Sequence, residues 1–157
     1  MQAKKVSESS AVTVLPMTPQ DANVAGNVHG GVIMKLIDEV GGIAAVRHAR
    51  SNAVTASVDK IDFFHPVLIG DVLTLRASLN LVGKTSMEVG VRVEAENPLT
   101  GETRHTASAF LTYVALDRNG RPMEMAPLIL ETEEDKRRNR DAQARREVRL
   151  RGRIKKD

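Results

Sequence analysis

The chain has 157 residues, enough for one domain with a core of its own. It contains no Cys, which removes disulfide frameworks and thiolate metal sites, and no apolar run near the roughly 20 residues that span a bilayer. Net charge is +3, but residues 131–157 hold 11 Lys+Arg against 7 Asp+Glu, so the basicity belongs to the tail and says little about the body.

Residues 1–10, MQAKKVSESS, read as a flexible polar start without the apolar stretch of a secretory signal. Ala11 to Met17, with Val12, Val14 and Met17 among small polar residues, reads as a first strand. A polar, Gly-rich loop follows from Gln20, carrying Asn23, Asn27 and His29 and ending at Gly30-Gly31. Val32, Ile33, Leu36, Ile37, Val40, Ile43 and Ala44 then recur at helical spacing and predict a helix over about 30–48. A helix this apolar is expected to be buried. His48 and Arg50 suit its negative end.

Asp38 sits inside that pattern, on the side shared with Met34, Gly41 and Ala45. It is therefore expected to be a buried carboxylate, which costs several kcal/mol unless paired and is seldom kept without a use. A helix N-terminus behind a Gly-rich loop also gathers free N–H groups and a positive dipole end. Together these features suggest a place where a carbonyl oxygen is held while a carboxylate works nearby.

From Ala53 the period changes to two. Val54, Ala56 and Val58 alternate with polar residues, and then Ile61 and Phe63 take the apolar places, a phase shift that predicts a bulge. After turn signals at Pro66 and Gly70-Asp71, three more alternating runs follow: Leu73 to Leu81, Met87 to Ala95, and His105 to Tyr113. Short turns between them predict an antiparallel meander with one apolar face. The order of strand, long helix and four further strands predicts an α+β domain, a sheet of about five strands wrapped around one central helix, with edges that favour pairing between two copies. In residues 131–157 Thr132 followed by Glu133, Glu134 and Asp135 marks a helix start. With almost no apolar residues, this charged, basic helix or tail is expected to be solvated and to fray. The domain proper is then 11–130.

The stretches DANVAGNVHGG, VIMKLIDEVGGIAAVRH, VTASVDKIDFFHPVLIGD, GKTSMEV, TASAFLTYVALDRNGRPM and LILETEEDKRR, in this order over roughly 11–140, resemble the cytosolic acyl-CoA hydrolases, the brain-type long-chain acyl-CoA thioesterases and their single-domain bacterial relatives. The resemblance implies the hotdog fold and hydrolysis of fatty acyl-CoA to free acid and CoA, in the cytoplasm. No cofactor is expected, since coenzyme A is part of substrate and product. In that family a loop Asn and a helix Asp from two different hotdog domains form the site; Asn23 and Asp38 match them. Since one domain here holds both, the resemblance implies a homodimer with two equivalent sites, and beyond it a hexamer built as a trimer of dimers.

Each candidate has a plainer reading. Asp38 can be general base or nucleophile, or only a carboxylate paired with a core Lys or Arg, or one at an exposed helix position. Asn23 can polarise a carbonyl, orient water, or merely hold an Asx turn. Gly30 or Gly31, with a lean to Gly31, can supply an oxyanion N–H. His29 more often holds a loop than performs chemistry. Lys84, Thr85, Ser86 and Arg92 are candidates for CoA phosphates, or a solvated hairpin and sheet face. His48, His65 and His105 lack metal-ligand spacing, so no metal is expected. GxSxG, P-loop and GxGxxG patterns are absent. Alternatives to a thioesterase are a non-catalytic acyl-CoA-binding protein and a hydratase or dehydratase of the same fold. A nucleic-acid role is disfavoured by an aromatic content of 3% without Trp.

Overall fold

The computed structural model describes residues 1–156, so Asp157, the last residue of the expected tail, lies outside the described residues. Chain order is β1 (Lys4–Lys5), a 3-10 turn at Val6–Glu8, β2 (Ala11–Pro16), α1 (Gly30–Ala49), β3 (Asn52–Phe63), β4 (Val72–Val82), β5 (Ser86–Glu96), β6 (Thr103–Leu116), β7 (Leu128–Ile129) and α2 (Glu133–Lys156).

The alternating runs form one antiparallel sheet in the order β2-β4-β5-β6-β3. The meander β4-β5-β6 forms its centre, and β2 and β3 are its edges. Register shifts between Thr55 and Ser57 and between Val58 and Lys60 account for the phase change read in this strand. One face is lined by Leu73, Leu75, Leu79, Val89, Val93 and Leu111, all at most 2% exposed, and it curves around α1. Ile33, Ile37, Val40 and Ala44 return every three or four residues to meet it. Burying each such large side chain contributes about 1.5–3 kcal/mol. α1 stops at Arg50, whose left-handed φ of 50° lets its N–H close on Val46 O at 2.7 Å.

The ends of the chain depart from expectation. Residues 1–10, read as a loose start, carry β1, which pairs in parallel with β7, and Val6 is buried. Tail helix α2 is not solvated all round. Thr132 and Asp135 cap its start reciprocally, and Ala142 is wholly buried. It lies on the outer face of the sheet and holds on through polar groups. Arg145 makes paired hydrogen bonds of 2.8 and 2.9 Å to Glu88, which is 1% exposed, and stacks 3.6 Å above the Phe110 ring. Arg149 reaches Asp59 at 3.0 Å, and Asn139 donates to Asn80 O at 3.0 Å. Apolar periodicity cannot register such a contact surface, because charged groups make it.

His48 closes the last turn of α1. It is fully buried, its Nε2 donates to Ala126 O at 2.8 Å, and its Nδ1 has no partner among the described residues. Burial lowers its pKa, and Lys4 adds to that, against the Ala126 bond and Glu8. The folded form therefore resists protonation. The stabilisation this gives is present above the unfolded value of about 6.5 and is lost as pH falls below it toward the lower folded value. Melting curves between pH 7.5 and pH 5 are expected to fall more steeply for the wild type than for His48→Asn, which cannot titrate; parallel curves would overturn this.

Candidate functional site

The loop 20–30 is shaped by its own polar groups. Asn23 Oδ1 accepts from Ala25 N at 2.9 Å and Asn27 N at 3.2 Å, which is the Asx-type turn weighed as its plainer role. That leaves the Asn23 Nδ2 group as a donor without a partner among the described residues. Gly26 turns the chain with φ of 88°. His29 is the N-cap of α1: its Nδ1 accepts from Gly31 N at 3.0 Å. The lean toward Gly31 as the oxyanion donor therefore meets an occupied N–H. Gly30 N, by contrast, has no partner among the described residues. Asn23, Gly30, Phe63, Phe64 and His65 line one cleft of about 270 Å³ at this helix end.

Asp38 is not in that cleft, nor is it buried. A sheet on one side of α1 leaves the other side of the helix uncovered, and Asp38 lies there as an exposed residue. Beside it stand exposed apolar residues, Met34, Ile43 and Val46 on α1 and Val58 on the same face of edge strand β3, each more than 40% exposed, together with the charged pair Lys35 and Glu39. Single exposed apolar residues are ordinary, but several of them beside a free strand edge leave both apolar surface and unpaired backbone groups open to solvent in the protomer.

Two hydroxyls hold the carboxylate. Thr55 Oγ1 donates to Asp38 Oδ1 at 2.7 Å, and Tyr113 OH lies 3.0 Å from the same oxygen and from Asp38 O. Thr55 and Tyr113 are direct partners across β3 and β6, so the register of these strands aims both at one point on α1. Neither was singled out from the sequence. The available signal was Tyr113 itself, the single tyrosine, standing at an apolar position; a buried phenol needs a partner for its O–H.

Eight residues separate Gly30 from Asp38 along α1, about 12 Å at 1.5 Å per residue. One protomer thus keeps the donors Asn23 and Gly30 apart from the carboxylate Asp38. The CoA candidates are dispersed as well. Lys84, Thr85 and Ser86 form the β4–β5 hairpin, at the end of the sheet beside Leu116 and the C-terminus of α1, where Lys84 pairs with Glu124. Arg92 lies on the outer face, pairs with Glu94, and lines a cleft of about 490 Å³ under α2 with Arg76, Arg138 and Arg145. That cleft is the larger of the two, yet it holds none of Asn23, Gly30 and Asp38. Among the described residues no group of three or more His, Asp or Glu side chains is placed to hold a metal ion, and no helix is long and apolar enough to cross a membrane.

A model of the thioesterase superfamily matches residues 25–102. A cytosolic acyl coenzyme A thioester hydrolase of Mus musculus is 41% identical over 142 residues, 89% of this chain and 37% of that protein, so the chain spans little more than a third of this relative and of its rat and human counterparts. An uncharacterised acyl-CoA thioester hydrolase of Bacillus subtilis, YkhA, is 41% identical over 128 residues, 82% of this chain and 74% of that protein. Among solved structures, a hexameric acyl-CoA thioesterase superposes with TM-score 0.93 at 40% identity, covering 96% of this chain and 97% of that one. The acyl-CoA hydrolase of Staphylococcus aureus, solved with butyryl coenzyme A and coenzyme A, superposes with TM-score 0.91 at 34% identity, covering 98% and 94%. Structures of that enzyme also exist with an asparagine, an aspartate or a threonine replaced by alanine, in that order along its chain with gaps of 15 and 17 residues.

Proposed function

The chain belongs to the thioesterase superfamily, and from that premise we propose that it hydrolyses fatty acyl-CoA to free fatty acid and CoA at sites shared between two copies. The observation that carries this reading is Asp38, oriented by Thr55 yet about 12 Å from the donors at the start of its own helix. An antiparallel second copy, seated on the apolar residues beside Asp38, brings its own Asp38 to the first copy's Asn23 and Gly30. The gaps from Asn23 to Asp38 and from Asp38 to Thr55 are also 15 and 17 residues, those of the three residues replaced in the S. aureus enzyme.

In this reading the thioester oxygen sits between Gly30 N–H and the free Asn23 amide. Asp38 of the other copy takes a proton from water as the water oxygen adds to the thioester carbon. Negative charge develops on the carbonyl oxygen, where donors already fixed in place stabilise it. Collapse of the adduct breaks the C–S bond, and the CoA thiolate leaves with the proton that Asp38 held. The same antiparallel arrangement moves Lys84, Thr85 and Ser86 of one copy to the level of the other copy's loop, which keeps them as candidates for the CoA phosphates. Arg92, on the outer face, has no such route. No cofactor enters these steps. Assembly as a homohexamer is supported by the hexameric relative, and a cytoplasmic location by the cytosolic relatives.

Complementation tests the shared site. Asn23→Ala and Asp38→Ala are each expected to abolish CoA release from an acyl-CoA panel. Refolded together, they form mixed dimers in which one site carries both native residues, and part of the activity returns. Proven mixing without recovery would place both residues in one chain's site.

A further inference from the structure

Tyr113 is 1% exposed, with its ring in the core among the inward-facing residues of β6. Its hydroxyl nevertheless reaches the far side of α1, where Asp38 stands. It does so because α1 has no side chain at Gly41. A Cβ placed there would lie 2.5 Å from the Tyr113 hydroxyl oxygen and 3.3 Å from Cζ. At the next residue, Gly42, the corresponding gap is 3.9 Å, ordinary contact. Gly41 is therefore not a spare glycine in a helix, where glycine costs about 1 kcal/mol relative to alanine. It is the notch through which a core hydroxyl meets the carboxylate.

The two donors act on one oxygen. Thr55 and Tyr113 both meet Asp38 Oδ1, and Oδ2 has no partner among the described residues. A carboxylate fixed through one oxygen presents the other in a defined direction. Burial, followed by the charge of Asp38 and the bond to it, holds the Tyr113 phenol above its ordinary pKa, so it remains a donor through the neutral range.

We propose that Tyr113 is a positioning residue for the reaction: admitted by Gly41, its hydroxyl holds Asp38 Oδ1 so that Oδ2 faces the water that attacks the thioester in the second copy's cleft. The inference rests on the hydrolase reading given above. Tyr113 touches neither substrate nor water; it acts through Asp38.

The test is a double-mutant cycle on the full chain, with turnover and KM measured on an acyl-CoA and sites counted by CoA titration. Tyr113→Phe keeps the ring and removes the hydroxyl. It is expected to lower kcat by about tenfold, the scale of one hydrogen bond to a charged group, with KM within twofold and the protein still folded and assembled. Gly41→Ala keeps the hydroxyl and pushes it aside, with the same expected loss. The double variant is expected to lose no more than either single, because both act on one contact. Wild-type kcat in Tyr113→Phe, or additive losses in the double variant, would overturn the proposal. Asp38→Asn, run beside them, separates the two failures. If it turns over like wild type, the hydrolase role of Asp38 falls; if it is inactive while Tyr113→Phe is fully active, only the positioning role falls.

Discussion

Asp38→Asn is expected to lower kcat by at least about 10²-fold, the lower edge for loss of a positioned base, while folding, assembly and CoA binding persist. The substitution is mild where Asp38 is held and severe where it acts. The amide oxygen can still accept from Thr55 and from Tyr113, which meet a single oxygen of the carboxylate. The nitrogen takes the place of the unpartnered Oδ2 and cannot accept a proton from water. The residue is exposed in the protomer, so losing its charge opens no core. Calorimetric titration with CoA and a turnover assay on one preparation check this. Turnover within a few-fold of wild type, with binding intact, would make Asp38 structural.

The largest effect on stability is expected at Arg145. Glu88 is 1% exposed, and its carboxylate is met by Arg145 through two hydrogen bonds and by Asn80 Nδ2 at 2.9 Å. Arg145→Ala leaves that charge in the sheet with only Asn80 and the more distant Arg149, at 3.8 Å. Removing one partner of a buried pair costs about 3–5 kcal/mol, and the lower figure applies because Arg149 remains. At roughly 2–4 °C per kcal/mol for a chain of this size, Tm drops by roughly 6–12 °C. Adding Glu88→Gln is expected to restore most of the loss, since the amide removes the charge and keeps an oxygen for Asn80. If Arg145→Ala melts with wild type, α2 is not fastened by this pair. Differential scanning calorimetry of the three proteins decides it.

What the sequence disclosed follows from what leaves a periodic trace. Strands β2 to β6 and helix α1 announced themselves through apolar residues spaced to meet one core, and a lone acid in an apolar helix drew notice to Asp38. Its surroundings left no such trace. Asp38 was expected to be buried, because a helical repeat shows which residues share a side but not whether a sheet reaches that side. Thr55 was one more polar residue in an alternating strand; only its register opposite Tyr113 brings the two hydroxyls together. The docking of α2 escaped notice because its contacts are guanidinium to carboxylate and amide to carbonyl, and charged residues read as solvated. The occupied N–H of Gly31 depends on the rotamer of His29, which spacing does not reveal.

The small parallel ladder of β1 and β7 joins Lys4 to Leu128 and Lys5 to Ile129, positions at opposite ends of the domain's sequence. A pairing so distant along the chain closes a loop that contains the entire main sheet. Closure entropy grows only slowly with loop length, so the ladder can be stable once made, but contacts of this separation come late in folding. During synthesis residues 4 and 5 precede 128 and 129 and must wait for them, by which time β2 to β6 are all available to pair. The ladder is therefore expected to be the last part of the domain to lock and among the first to open, with Lys4 leaving the His48 carbonyl, 2.7 Å away, as it goes. Opening of this ladder is thus expected to be the step that exposes the buried His48 to solvent.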